Sequence, residues 1–295
     1  MTSLGIEVGD DHVRTLVVND RGGVTARSDR SAGRGGLASA LRAALRRRSK
    51  AARPPDASGV AIPWPADEVP GEVAAVLAEA AGSTVTIGSG AASAVAESWC
   101  GAARGLRDVI TFGITGRITA GALVNGVLLR GARGEAGAVE WLSLNPVERV
   151  DYRRYGGLAA EVSTAAIVRR AVWRIRSGDP STLADSVDAD LSGITADDVF
   201  RAARGGDGVS IAVVRDTARY VGMAVSNMAA VLDPETVVLG GILATSGAQM
   251  LDAIRIEFSR RLRPSQASRI AIVLSTLGLD APAIGAARAA VTNRP

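Results

Sequence analysis

The apolar and polar positions first alternate in short runs. Leu4 to Val8 reads as an apolar strand closed by the turn Gly9-Asp10-Asp11. Val13 to Val18 reads as a second strand, and Asn19-Asp20-Arg21-Gly22-Gly23 turns the chain into a third. Leu37, Leu41, Ala44 and Leu45 then recur at helical spacing. Gly59 to Ile62 is a strand stopped by Pro63-Trp64-Pro65, and Val73, Val76, Leu77 and Ala80 mark a helix. Thr84 to Ile87 is a strand, and Ala91 to Cys100 a small-residue helix.

After Gly105 the pattern restarts. Val109 to Thr115 and Ile118 to Val124 read as paired strands, and Asn125-Gly126 is a two-residue hairpin turn into a third. Ser163 to Arg176 carries a helical stripe, 177–208 is a mixed insertion of helix and loop, and Val213 to Leu232 is a long helix stopped by Asp233-Pro234. Thr236 to Leu239 is a buried strand ending in the Gly240-Gly241 turn. A helix over Gly247 to Leu262, a strand over Ile270 to Leu274 and a closing helix over Ala283 to Val291 complete the pattern. Each half opens with a strand meander and goes on with helices and strands. The pattern therefore predicts two α/β domains, 1–105 and 106–295, with the closing helix 283–291 packing back on the first.

Composition changes this picture little. At 295 residues and 47% apolar, the chain can fill two cores. No apolar run reaches the roughly 18 residues that span a bilayer, and the start lacks a signal pattern, so a soluble cytoplasmic protein without membrane contact is expected. One cysteine, Cys100, and one histidine, His12, exclude an internal disulfide and leave a Cys/His zinc site short of ligands. The net charge of +4 is carried almost wholly by arginine, Lys50 being the only lysine. Between Asp29 and Asp56 there is no acid, but there are Arg30, Arg34, Arg42, Arg46, Arg47, Arg48, Lys50 and Arg53. With Leu37, Leu41 and Leu45 this makes a basic amphipathic helix. It reads as a solvated face, the other reading being a surface for nucleic acid or an acidic partner.

Three stretches carry a resemblance. They are Val221 to Met228 followed by Leu232-Asp233-Pro234-Glu235-Thr236-Val237-Val238-Leu239-Gly240-Gly241; Asn125-Gly126 through Gly134-Glu135-Ala136-Gly137; and Leu277-Gly278-Leu279-Asp280-Ala281-Pro282-Ala283-Ile284-Gly285. Together they resemble the ROK family of bacterial sugar kinases and repressors over nearly the whole chain. The resemblance implies an actin-like fold of the sugar-kinase and Hsp70 type, with a cleft between its two α/β domains. It also implies a homo-oligomer. The family's repressors carry a winged helix-turn-helix before the first strand. With that strand at Leu4, none is expected here.

The same resemblance locates chemistry, and the chain departs from it there. A kinase of this type needs a base, phosphate-binding amides, sugar-holding groups and a nucleotide pocket. The family's Asn-Asp-Ala-Asn run matches Gly88-Ser89-Gly90-Ala91, so Ser89 stands where the catalytic aspartate belongs and Ala91 where an asparagine orients the sugar. A serine takes no proton unaided, and Ser89 otherwise reads as a solvated helix N-cap. The first phosphate loop, Asp-x-Gly-Gly-Thr-Lys, becomes Glu7-Val8-Gly9-Asp10-Asp11-His12, which keeps Gly9 and adds carboxylates that repel phosphate. Asp10 and Asp11 as a cation site are the lesser reading. The second loop falls on Thr115-Gly116-Arg117, where Arg117 can attract an anion or stand as an exposed hairpin arginine. Gly-Glu-Ile-Gly-His becomes Gly137-Ala138-Val139-Glu140-Trp141: Ala138 replaces the sugar glutamate and Trp141 the zinc histidine. Trp141 reads as a ligand-stacking or a core residue. Ala159 replaces a later sugar glutamate, the zinc cysteines are missing, and Arg149, Arg153 and Arg154 lie in their stretch. Gly240 and Gly241 keep the adenosine-side pattern.

The joint loss of base, sugar glutamates and glycine loop leads to the expectation of a chain without phosphotransfer, serving as a ligand sensor, regulator or assembly partner. The alternatives are an ATP-dependent, glucokinase-like sugar kinase using Glu140 or Glu135 as base, and a transcriptional regulator acting through the basic helix or a partner. No cofactor is fixed by the motifs. ATP with magnesium is the option the resemblance leaves, and zinc is excluded.

Overall fold

The computed structural model describes residues 1–33, 36–50, 55–65, 67–185 and 190–292, with the backbone alone for 47–50. The strands are β1 (Thr2–Val8), β2 (His12–Asn19), β3 (Val24–Ser31), β4 (Ala57–Ile62), β5 (Val85–Gly88), β6 (Val109–Ile114), β7 (Ile118–Val124), β8 (Val127–Leu128), β9 (Thr236–Gly241) and β10 (Ala271–Leu274). The helices are α1 (Gly36–Lys50), α2 (Gly71–Ala80), α3 (Ser89–Cys100), α4 (Val150–Tyr155), α5 (Ala159–Val162), α6 (Thr164–Arg176), α7 (Thr182–Asp185), α8 (Ala196–Arg204), α9 (Gly208–Leu232), α10 (Leu251–Arg261), α11 (Pro264–Ala267) and α12 (Ala281–Thr292). They flank two five-stranded sheets, ordered β3-β2-β1-β4-β5 and β10-β9-β6-β7-β8. Among the described residues no helix is long and apolar enough to cross a membrane.

Two compact units are discontinuous in sequence. One gathers Met1–Phe112, Thr119–Ala138 and Ser275–Pro295, the other Gly113–Ile118 and Val139–Leu274. In the first, β1 is central and buried on both faces. Leu4, Ile6 and Val8 join Val60 and Ile62 under α1 and α2, against Leu41, Val73 and Val76. On the opposite face α12 lies directly on the strands. A Cβ at Gly5 would sit 1.9 Å from the Ala283 carbonyl oxygen, and one at Gly59 2.1 Å from that of Ala286. Only glycine admits so close a backbone. Polar β3 is the sheet's exposed edge, its charges blunting further pairing. The β7–β8 hairpin turns at Asn125 and Gly126, with φ of 53° and 79°, the left-handed pair that a two-residue turn requires.

In the second unit α9 begins at Gly208, earlier than its apolar stripe predicts, because the carboxylate of the N-cap Asp207 accepts from the Ser210 amide and caps the first turn. The helix ends at left-handed Asp233 before Pro234. The expected helix from Gly247 starts as a 3-10 turn and becomes α-helical only at Leu251.

Strand register places Glu7 of β1 opposite Arg14 of β2, and Arg14 opposite Asp29 of β3. The buried Arg14 guanidinium donates to Glu7 at 3.3 Å, to Asp29 at 2.8 Å and to the Leu279 carbonyl at 2.6 Å. One side chain thus ties three strands to the segment that enters α12. Burial pushes the Glu7 carboxyl from 4.5 up to about 7, against the opposing pull of Arg14. Between those values the folded chain holds a proton that the unfolded chain has released. Stability from this group is therefore full below about pH 4.5 and is lost as the pH rises through about 7. The loss amounts to about 3 kcal/mol. Urea unfolding at pH 5 and pH 8 should show a lower midpoint at pH 8. Glu97, also raised by burial, acts in the same direction, so the comparison is with Glu7→Gln, in which the drop should shrink by most of that amount.

Candidate functional site

Parallel pairing of β1 with β4, and of β4 with β5, sets their carboxyl ends on one edge of the first sheet. Ligands of open α/β sheets bind at that edge. Gly9 follows β1 there and Ser89 follows β5. Ser89 is not the solvated N-cap expected of it: Gly88 is the N-cap, and Ser89 is the first helical residue, 4% exposed. Its Oγ has no hydrogen-bond partner among the described residues. The helix start is held rigidly. A Cβ on Gly90 would lie 2.0 Å from the Ala120 carbonyl oxygen of β7, and the Thr111 hydroxyl donates to the Gly90 carbonyl at 3.1 Å. The result is a fixed hydroxyl, free to donate and to accept, at the amino end of α3.

The β1–β2 turn is built differently from an open phosphate loop. The Gly9 amide donates to the His12 carbonyl at 2.8 Å. The His12 ring lies over Gly9, so close that an added Cβ would meet its Cε1 at 2.4 Å. His12 Nδ1 pairs with Asp11 at 3.0 Å, while Nε2 is buried without a partner among the described residues. No group of three or more His, Cys, Asp and Glu among the described residues is placed to hold a metal.

The second unit brings most of the remaining residues together. The Thr115–Arg117 turn follows β6 and closes through the Thr115 amide to the Arg117 carbonyl at 2.8 Å. The Gly240-Gly241 pair ends β9 against it. Gly241 has φ of 62°, its missing Cβ would sit 2.0 Å from the Ile114 carbonyl oxygen, and the Ile242 amide donates to that oxygen at 2.7 Å. Arg117 is not a solvated hairpin arginine. It donates through Nε and a terminal nitrogen to both Glu140 oxygens, at 3.1 and 2.7 Å, and the Ile118 amide donates to the same carboxylate at 3.1 Å. Glu140 is mostly buried, in a 3-10 turn over Val139–Trp141. Trp141 beside it is 51% exposed, which removes the core reading. Glu135 is exposed.

Where the resemblance puts zinc, an ion-pair network stands. Arg149 donates to Asp151 at 2.6 Å and to buried Glu161 at 3.1 Å, and stacks on the Tyr152 ring. The Tyr152 hydroxyl donates to Glu161, and burial together with that contact raises the phenol above its usual range. Ala159, the lost sugar position, is buried at the start of α5. Of the basic stretch, Arg42 pairs with Glu79 at 3.1 Å. Arg34, Arg53 and the side chains of Arg47, Arg48 and Lys50 lie outside the described residues.

The sequence reading missed three Arg–Glu pairings, Glu7–Arg14, Arg117–Glu140 and Arg149–Glu161. Only the first had a local signal: a hairpin closing at Gly9-Asp10-Asp11 sets residues 7 and 14 opposite each other.

Known proteins to which this chain is similar include kinases and regulators. A glucokinase of Halalkalibacterium halodurans is 32% identical over 196 residues, covering 65% of this chain and 59% of the relative. The chain thus spans less than two thirds of that relative's length. A ROK family glucokinase from Streptomyces griseus, solved with glucose and AMPPNP, superposes with a TM-score of 0.83 at 23% identity, over 99% of this chain and 100% of that one. A ROK hexokinase from Thermus thermophilus gives 0.78 at 25% identity, over 99% of each chain. These findings overturn the expectation of a chain without phosphotransfer. The glucokinase identity spans most of the chain, and the fold is that of a glucokinase solved with sugar and nucleotide analogue. The description ROK family also matches residues 64–293, and the chain belongs to the ROK family.

Proposed function

We propose that the chain transfers the γ-phosphoryl group of ATP to a hydroxyl of a glucose-like sugar, with a base other than an aspartate at residue 89. The observation that carries this reading is the Arg117–Glu140 pair on the turn that abuts Gly241. It sets an anion-binding guanidinium and a carboxylate at one strand end. The relative that is 32% identical is itself a glucokinase.

Phosphoryl transfer makes this economical. Its transition state is loose, so most of the catalysis is positioning and charge stabilisation, and the base acts late. Magnesium arriving with ATP would supply neutralisation of phosphate charge. Arg117 holds the γ-phosphate. As its guanidinium turns to phosphate, Glu140 is released to accept a proton. The sugar oxygen forms its bond to phosphorus, the bond from phosphorus to the bridging oxygen breaks, ADP leaves with those electrons, and the hydroxyl proton goes to Glu140. Trp141 stacks on the sugar face, and Thr115, Gly116, Gly240 and Gly241 offer close backbone to the nucleotide.

An ADP-release assay over hexoses and amino sugars should show turnover that depends on glucose or a close analogue. Absence of sugar-dependent turnover across the panel at saturating ATP sinks the reading. Glu140→Gln should lower kcat about 100-fold while leaving the sugar KM nearly unchanged, as for a lost general base. Full activity in that variant removes Glu140 from the mechanism. Ser89→Asp restores a carboxylate at the family position and should raise kcat about tenfold or more. A kcat that fails to rise with the fold intact contradicts a role for residue 89 in the reaction.

A further inference from the structure

The first unit contains a cavity of about 520 Å³, lined by Trp99 of α3, Leu123 of β7, Val127 and Leu128 of β8, Arg130 just beyond and Arg288 of α12. Its size falls within the range of small-molecule sites. All of its walls come from one unit, and it includes none of the residues discussed above for sugar or nucleotide.

Its chemistry is one-sided. The walls from Trp99, Leu123, Val127 and Leu128 are apolar. The two hydroxyls that reach it are already engaged: Ser98 donates to the Leu106 carbonyl at 2.9 Å, and Thr292 to the Arg288 carbonyl at 3.2 Å. The two guanidiniums are different. Among the described residues neither Arg130 nor Arg288 has an ion pair or a side-chain hydrogen bond. Arg288 is nonetheless fixed, its guanidinium stacked 4.9 Å from the centroid of the Trp99 ring. Such stacking covers a guanidinium face and leaves the in-plane N–H donors pointing outward. A third arginine, Arg107, adds positive charge at the Asn125-Gly126 rim, donating to the Asn125 carbonyl at 2.7 Å.

A pocket with an apolar wall and two guanidiniums that have no ion pair or side-chain hydrogen bond among the described residues suits an anionic ligand with an apolar body. We propose that this cavity is a binding site for small organic anions, a carboxylate, sulfonate or phosphate carried on an aromatic or aliphatic group. The anion sits between Arg130 and Arg288, and the apolar part against Leu123, Val127 and Leu128. Arg–anion pairs are often bidentate and set orientation as well as affinity.

The test uses the whole chain and 8-anilinonaphthalene-1-sulfonate as the probe, followed by dye fluorescence at low ionic strength. One saturable site is expected, with weaker binding as salt is raised. Arg130 is exposed, so Arg130→Glu should fold normally, and it should weaken the dye at least tenfold, with Arg130→Ala between it and the parent. Arg288→Glu should do the same by removing the second donor. Glucose with AMPPNP should leave the titration unchanged. Equal dye affinity in the parent and in Arg130→Glu overturns the proposal, and so does displacement of the dye by AMPPNP, which would place it in the nucleotide site.

Discussion

The close approach of α12 to the first sheet is the constraint on which that unit depends. Helix and strands meet backbone to backbone at Gly5 and Gly59, and α12 meets α3 in the same way where Gly285 faces the Ala92 carbonyl. Even a methyl is excluded at these three glycines, and the residues of α3 and α12 that meet there are small. The energetic return is dense packing over a wide area rather than a few large anchors. The functional return is rigidity. The amino end of α3, where Ser89 sits, is clamped between α12 on one flank and β7 at Gly90 on the other. A hydroxyl held in this way loses little entropy on meeting a ligand.

A second regularity joins the positions where the chain departs from its relatives. At the first loop, the second loop and the former zinc stretch, a glutamate is met by an arginine of the same unit, as Glu7–Arg14, Glu140–Arg117 and Glu161–Arg149. Buried carboxylates are costly unless paired, and each of these is paired. The pairs differ in use. Glu7 is buried among strands and reports on folding. Glu161 lies under Arg149 and Tyr152 and cross-braces α4 and α5. Glu140 alone shares its arginine with a turn that abuts a glycine corner, which gives the pair a second partner to exchange with.

Much of the frame was legible in the sequence because it is written in local terms. Alternation marked β1 and β2, helical stripes marked α1, α6 and α9, and Asn125-Gly126 marked the β7–β8 hairpin. What escaped was non-local. Nothing near Gly90 in sequence says that the Ala120 carbonyl will close on it, and nothing near Arg117 says that Glu140 will reach back to it across 22 intervening residues. The losses of motif residues were equally legible. Their meaning is not, because an absent aspartate reads as lost chemistry while the Arg117–Glu140 pair forms only in the fold. The discontinuous units have the same cause. A linear pattern shows where elements start and stop, while the return of Thr119–Ala138 and Ser275–Pro295 to the first unit is a matter of packing.

The central claim is that a kinase reaction centre persists here on substituted residues, and a crystal structure of the chain with glucose and AMPPNP tests it most directly. The account predicts the terminal phosphate against the Thr115–Arg117 turn, Arg117 turned from Glu140 toward it, and a sugar hydroxyl within hydrogen-bond distance of the Glu140 carboxylate. Sugar and nucleotide bound away from these residues, or Arg117 still locked on Glu140 with both ligands present, would contradict it.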